Sequence, residues 1–194
     1  MSQPMTRGHV IMHTATFLQQ NASVRDSPLE VESSLDLRTE LESMTAAAFY
    51  PRHLHTELLA LLATSRGTGG TGNDPGYTSI LRCGAALLSP QNQFSMLLMK
   101  VLTPDLFIRK LPRFWQRDHG SSGRCQVEAL DSAAHRAHVR LTGVAGYEHI
   151  GIFWLGWLGG VLRALTGSAP DVRQTGWSRD DSGPNEISYE VKWS

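Results

Sequence analysis

Apolar and polar positions divide the chain into a helical first half and a strand-rich second half, arranged around one apolar stretch. That stretch is HIGIFWLGWLGGVLRALTG, His149 to Gly167. No charge interrupts it from Ile150 to Leu162, and Arg163 then does. A membrane-spanning helix needs roughly 20 apolar residues, so the pattern predicts a buried core helix. Gly156, Gly159 and Gly160 each weaken a helix by about 1 kcal/mol relative to Ala. Close approach of another backbone would offset this, and Gly156 and Gly160 have small-xxx-small spacing. Tight core packing is the simplest use of such a face, and a ligand pocket or a dimer seam is the alternative. Gly167 suits a C-cap, and Pro170 suits a stop.

The segments flanking this helix alternate with a period of two. Ile187, Tyr189, Val191 and Trp193 point one way and Glu186, Ser188, Glu190 and Lys192 the other, which describes a half-buried strand. With Asp171 to Ser178 it predicts a hairpin across DDSGPN, Asp180 to Asn185. Cys125, Val127 and Ala129 share one face of Arg124 to Leu130, and Ala137, Val139 and Leu141 follow suit. A turn at Asp131-Ser132 joins these two strands.

The first half has helical spacing. Leu37, Leu41, Met44 and Ala48 mark a helix from Ser34 to Phe49. Tyr50-Pro51 ends it, and Pro51 suits the first turn of the next helix. Leu54, Leu58, Leu61 and Leu62 mark that helix. Thr68 to Gly76 is a glycine-rich loop with no Gly-Lys-Ser/Thr ending, so it is no phosphate loop. Further helices follow over Tyr77 to Leu88 and Gln93 to Leu102. Thr103-Pro104-Asp105 then starts another, in which Pro112 introduces a kink or a break. Val10 to Phe17 fits a helix or a strand, and residues 1–8 read as a flexible start.

Several strings together carry a resemblance: TRGHVIMHTATFL (Thr6 to Leu18), FYPRHLHTELLALL (Phe49 to Leu62), FIRKLPRFWQRDHGSSG (Phe107 to Gly123), LGW (Leu155 to Trp157) and YEVKW (Tyr189 to Trp193). In this order they resemble a myxobacterial family of uncharacterised proteins, itself similar to the vinyl-reductase-type and haem/nitric-oxide-binding superfamily. That superfamily includes the Bet3-like subunits of the TRAPP vesicle-tethering complex. The resemblance spans nearly the whole chain and implies a helix over Val10 to Gln20. Two departures matter. The cysteines that suggest a metal in the final hairpin of vinyl-reductase-type proteins are missing. So is the Tyr-x-Ser-x-Arg haem signature, because in YTSILR (Tyr77 to Arg82) the arginine falls one residue late. Neither a metal nor a haem is therefore expected, and no cofactor is assigned.

The chain has 194 residues and a formal net charge of zero, enough for one domain over 1–194 with a real core. No basic excess points to nucleic acid. Near-neutrality weakly favours self-association, hence a homodimer or a protein partner. Two cysteines are too few for a disulfide framework, and no secretory signal is evident, so a cytoplasmic location is expected.

Catalytic and metal motifs fail on spacing. His9 and His13 could share a helix face but lack a His-Glu-x-x-His arrangement. His53 and His55 would face different ways, and His135 and His138 would lie on opposite faces of a strand. Cys83 lies in apolar company and reads as inert, although Bet3-like proteins carry an acylated cysteine. Cys125 reads as core. Arg109, Lys110, Arg113 and Arg117 give one helix a basic side, solvated or facing an anionic partner or lipid head group.

The resulting expectation is an α+β domain: N-terminal helices, then a β-β-α-β-β unit whose small antiparallel sheet packs on the central apolar helix. The function expected is non-enzymatic: a sensory or regulatory domain binding an apolar small molecule or lipid. Its ligand-binding residues would be Met96, Met99, Phe107, Trp115, His149, Phe153 and Trp157. A ligand-free TRAPP-like dimeric assembly module is the alternative.

Overall fold

The computed structural model describes residues 4–21, 34–64, 75–87, 102–120, 123–144, 148–178 and 186–194. Its centre is helix α6 (Glu148–Thr166), the apolar stretch. Before it come α1 (Gly8–Asn21), α2 (Ser34–Ser43), α3 (Arg52–Thr64), α4 (Pro75–Ala86) and α5 (Pro104–His119). Strands β1 (Met5–Arg7) and β2 (Phe49–Pro51) form a small antiparallel ladder. Strands β3 (Arg124–Asp131), β4 (Arg136–Thr142), β5 (Asp171–Ser178) and β6 (Glu186–Lys192) form an antiparallel sheet in the order β3-β4-β6-β5.

The alternation in the sequence decides how this sheet meets α6. Ala137, Val139, Leu141, Ile187, Tyr189 and Val191 are buried on the inner face. Gly151 of α6 lies against Ile187 and Tyr189, and the Tyr189 hydroxyl donates to the Gly151 carbonyl at 3.0 Å. The outer face carries charge pairs, with Arg140 bonded to Glu128 and Arg136 to Glu190.

α4 packs on α6 through backbone. A Cβ on Gly84 would sit 2.0 Å from the Phe153 carbonyl oxygen, and one on Gly156 2.1 Å from that of Leu81. The close approach expected from the small residues is therefore present. Its partner is α4 of the same chain, so this face is closed to a dimer seam. The Gly167 N–H closes α6 on the Arg163 carbonyl at 2.9 Å.

Several local expectations need correction. Met5–Arg7 is a strand with Thr6 fully buried, because β2 supplies a pairing partner that no local pattern reveals. α2 ends at Ser43, and Pro51 closes β2 ahead of α3. A bulge between Val127 and Ala129 shifts the phase of β3, so Ala129 is exposed and Leu130 half-buried. His135 lies in the β3–β4 turn with φ 48°, not on a strand. Pro112 does not divide α5, which runs unbroken from Pro104 to His119. The Thr103 side chain caps it by accepting from the Leu106 N–H at 3.3 Å.

Among the described residues, no helix is long and apolar enough to cross a membrane.

Candidate functional site

Where α6 faces α5, the seam is aromatic. Trp154 and Trp157 lie three apart and so share one side of α6. Phe107, Phe114, Trp115 and His119 answer from α5. Trp157 meets Phe107 at 5.5 Å between ring centroids and Phe114 at 6.3 Å, nearly edge-on at 79°. Trp154 lies 4.8 Å from both Trp115 and Trp157. Tilted and edge-to-face arrangements suit rings whose faces are negative and edges positive. The outer side of α5 carries the exposed Arg109, Arg113 and Arg117, with Arg117 folded over Phe114 at 5.3 Å.

Phe107, Trp115 and Trp157 therefore come together in one seam. Phe153 does not join them. One residue before Trp154 on α6, it turns about 100° away and meets His55 of α3 edge-on at 5.0 Å. His149 is half-buried in the first turn of α6. Met96 and Met99 lie outside the described residues.

A buried polar clamp crosses the same seam. The Trp154 indole N–H donates to His119 Nε2 at 3.2 Å, so this nitrogen is the bare one and Nδ1 carries the proton. Nδ1 faces Thr6 Oγ1 at 3.4 Å. The histidine thus joins α5, α6 and β1. Burial holds its pKa well below the ordinary value, and the buried Arg52 cation adds to this. Protonation would set Nε2–H against the indole N–H.

His55 forms a second clamp. Thr14 Oγ1 spends its proton on the Val10 carbonyl at 3.0 Å, so it accepts from His55 Nε2–H at 3.1 Å. His55 Nδ1 is then a bare, buried lone pair without a partner among the described residues. Burial, with Arg52 second, lowers the His55 pKa to about 3. Cys83 is fully buried nearby, and burial pushes its thiol up to about 12. Such a thiol is a poor nucleophile, which argues against acylation there. Burial likewise takes Cys125 to about 12.

One polar atom in the aromatic seam stays unanswered. Trp115 is buried, and its Nε1–H has no acceptor among the described residues. Among the same residues, no group of three or more His, Cys, Asp or Glu side chains could hold a metal ion.

Reading the sequence alone missed Trp154, Phe114, His119 and His55 as participants. Two were within reach: Trp154 lies three before Trp157, and His119 four after Trp115. The pairings of His119 with Thr6 and His55 with Thr14 are long-range and leave no local trace.

No family model matches this sequence, and no curated protein matches it. Solved structures do. A structure bearing on the mechanism of H-NOX activation is 10% identical, covering 97% of this chain and 96% of its own at a TM-score of 0.64. An oxygen-binding H-NOX domain related to soluble guanylate cyclases, in its oxygen complex, is 10% identical over 97% and 95% of the two chains at 0.62. A third, in which protein-induced porphyrin distortion modulates haem redox potential, is 10% identical over 96% and 99% at 0.60. These three give no support to a TRAPP-like assembly or a dimer. At such identities the likeness is one of fold, and this chain has the fold of H-NOX domains over nearly its whole length.

Proposed function

We propose that this chain is a non-enzymatic sensory domain that takes a small, largely apolar molecule into the α5–α6 seam. The observation that carries the proposal is the Trp115 Nε1–H, buried among Trp154, His119 and their neighbours with no acceptor among the described residues. A buried unpaired donor costs about 1–3 kcal/mol, and such groups call for an explanation. A ligand with a carbonyl or ether oxygen would supply the acceptor, while the rings of Phe107, Phe114 and Trp157 would cover its apolar body. Recognition by rings plus one placed polar group is typical of small-molecule sites. The H-NOX fold supports the reading, since oxygen-binding and haem-carrying proteins are built on it.

Native mass spectrometry of protein purified from its own host tests this. The expected result is a small non-covalent mass that disappears on denaturation and is depleted in Trp115→Phe, which keeps a ring but removes the N–H. A wild-type chain with no added mass, or a mass that Trp115→Phe retains fully, would sink the proposal.

A further inference from the structure

We infer that this chain uses the H-NOX fold without a histidine-ligated haem. The neighbouring fold carries haem in at least one solved case, and histidine is a common axial ligand. All eight histidines of this sequence lie within the described residues, so each position can be tested as a ligand in turn.

An iron needs a bare imidazole nitrogen, and a buried macrocycle favours Nε2. Nδ1 lies beside Cβ, where the porphyrin would run into the histidine's own backbone. Four histidines are buried or half-buried; Nε2 is hydrogen-bonded in three of them, and in His9 it lies near a carboxylate. The lone pair of His119 Nε2 is capped by the Trp154 N–H. His55 Nε2 donates to Thr14, which leaves bare only the hindered Nδ1, in a ring set edge-on to Phe153. His13 Nε2 bonds the Cys83 carbonyl at 2.9 Å. His9 Nε2 faces the Asp118 carboxylate at 3.6 Å.

The other four lie at the surface. His53 and His135 are exposed, and His135 stacks flat on Trp193 with ring planes 2° apart. His138 is on the charged outer face of the sheet, opposite Glu190. His149 is half-exposed at the start of α6. None of these four side chains is fully buried.

The surroundings of α6 agree with the histidines. Its sides are taken by α4 backbone, by His55 of α3, by the rings of α5 and by Ile187 and Tyr189 of the sheet. A porphyrin laid against any of these faces would have to part the contacts made there. In the string nearest to the haem signature, Arg82 is exposed on α4.

The test uses the full chain, expressed in haem-replete cells with added δ-aminolevulinic acid and then titrated with ferric haem. Absorption spectra are taken in the ferric, ferrous and ferrous–carbon monoxide states, and thermal unfolding is followed in parallel to show that the protein is folded. The expected result is a cooperatively folded chain whose spectra lack histidine ligation and whose Tm does not respond to haem. Loose association of haem with spectra that no histidine variant alters would agree with the inference. Stoichiometric haem with a histidine-ligated spectrum, abolished by any one of His119→Ala, His55→Ala or His149→Ala, would overturn it.

Discussion

On the side of α6 that faces α4, nothing separates the two helices but glycine: Gly84 lies against the Phe153 carbonyl and Gly156 against that of Leu81. On the side that faces α5, large rings separate them, crossed by one indole-to-imidazole hydrogen bond. The first seam has no atom to give. The second is made of plates that can tilt, and it contains a donor that no described residue answers. Interiors are packed like organic crystals, so a ligand must either find space or make it. The glycine seam fixes α4 and α6 as one unit, which leaves α5 as the element whose position a bound molecule would change.

The largest expected effect comes from breaking the rigid seam. Gly84→Val would drive a side chain into the Phe153 carbonyl. Neither backbone can retreat, so the loss should be about 3 kcal/mol or more, beyond ordinary overpacking. Circular dichroism melts would show a collapsed Tm or no cooperative transition. A Tm close to wild type would mean that the helices are not in backbone contact.

Acid acts next, through His119, which crosses the α5–α6 seam, and His55, which joins α3 to α1 beside α6. His55 and His119 are both kept neutral in the fold, chiefly by burial. The unfolded chain therefore binds more protons once the pH falls below the ordinary histidine value of about 6.5. Stability is present in full above that pH and drains as the pH drops from about 6.5 toward the folded value of about 3 for His55. Each unit of depression corresponds to roughly 1.4 kcal/mol, so the loss should reach several kcal/mol. Urea melts across this range should show the slope, and it should be shallower in His55→Gln. An unchanged slope in that variant would remove His55 from the account.

Trp154→Phe weakens the aromatic side. It leaves His119 Nε2 without its donor and trims the ring contacts, at a cost of about 2–3 kcal/mol. Chemical denaturation would measure it, and a cost near zero would mean that the clamp holds nothing. The smallest effect belongs to Gly159, where an added Cβ would meet no described residue within 4 Å. Gly159→Ala should gain up to about 1 kcal/mol from helix propensity alone. A loss there would mean that this side of α6 is occupied.

The sequence made α6 legible because burial from Ile150 to Leu158 leaves an uncharged run. β6 was legible because one buried face forces alternation. The glycine pairing could be anticipated as close approach, yet nothing local named α4 as the partner. β1 was missed because its three residues are ordered by β2, far along the chain. The bulge in β3 reversed Ala129 and Leu130 because an extra residue in a ladder is set by the opposite strand. Phe107, Trp115 and Trp157 were nominated by apolar character and spacing, and they share the α5–α6 seam. Phe153 faces α3 instead, because neighbours on a helix point about 100° apart. The clamps at His119 and His55 join residues distant in sequence, and so only the fold displays them.

The proposed ligand site turns on one proton, that of Trp115 Nε1. The indole N–H resonances of the five tryptophans, assigned by Trp→Phe variants, can be followed by nitrogen–proton correlation NMR while a small-molecule extract of the host is titrated in. The Trp115 indole signal should move most as it gains an acceptor. Trp154 and Trp157 should follow, and Trp177 and Trp193 should stay still. A Trp115 signal that holds its place while another indole shifts, or while none does, would contradict a ligand site in the α5–α6 seam.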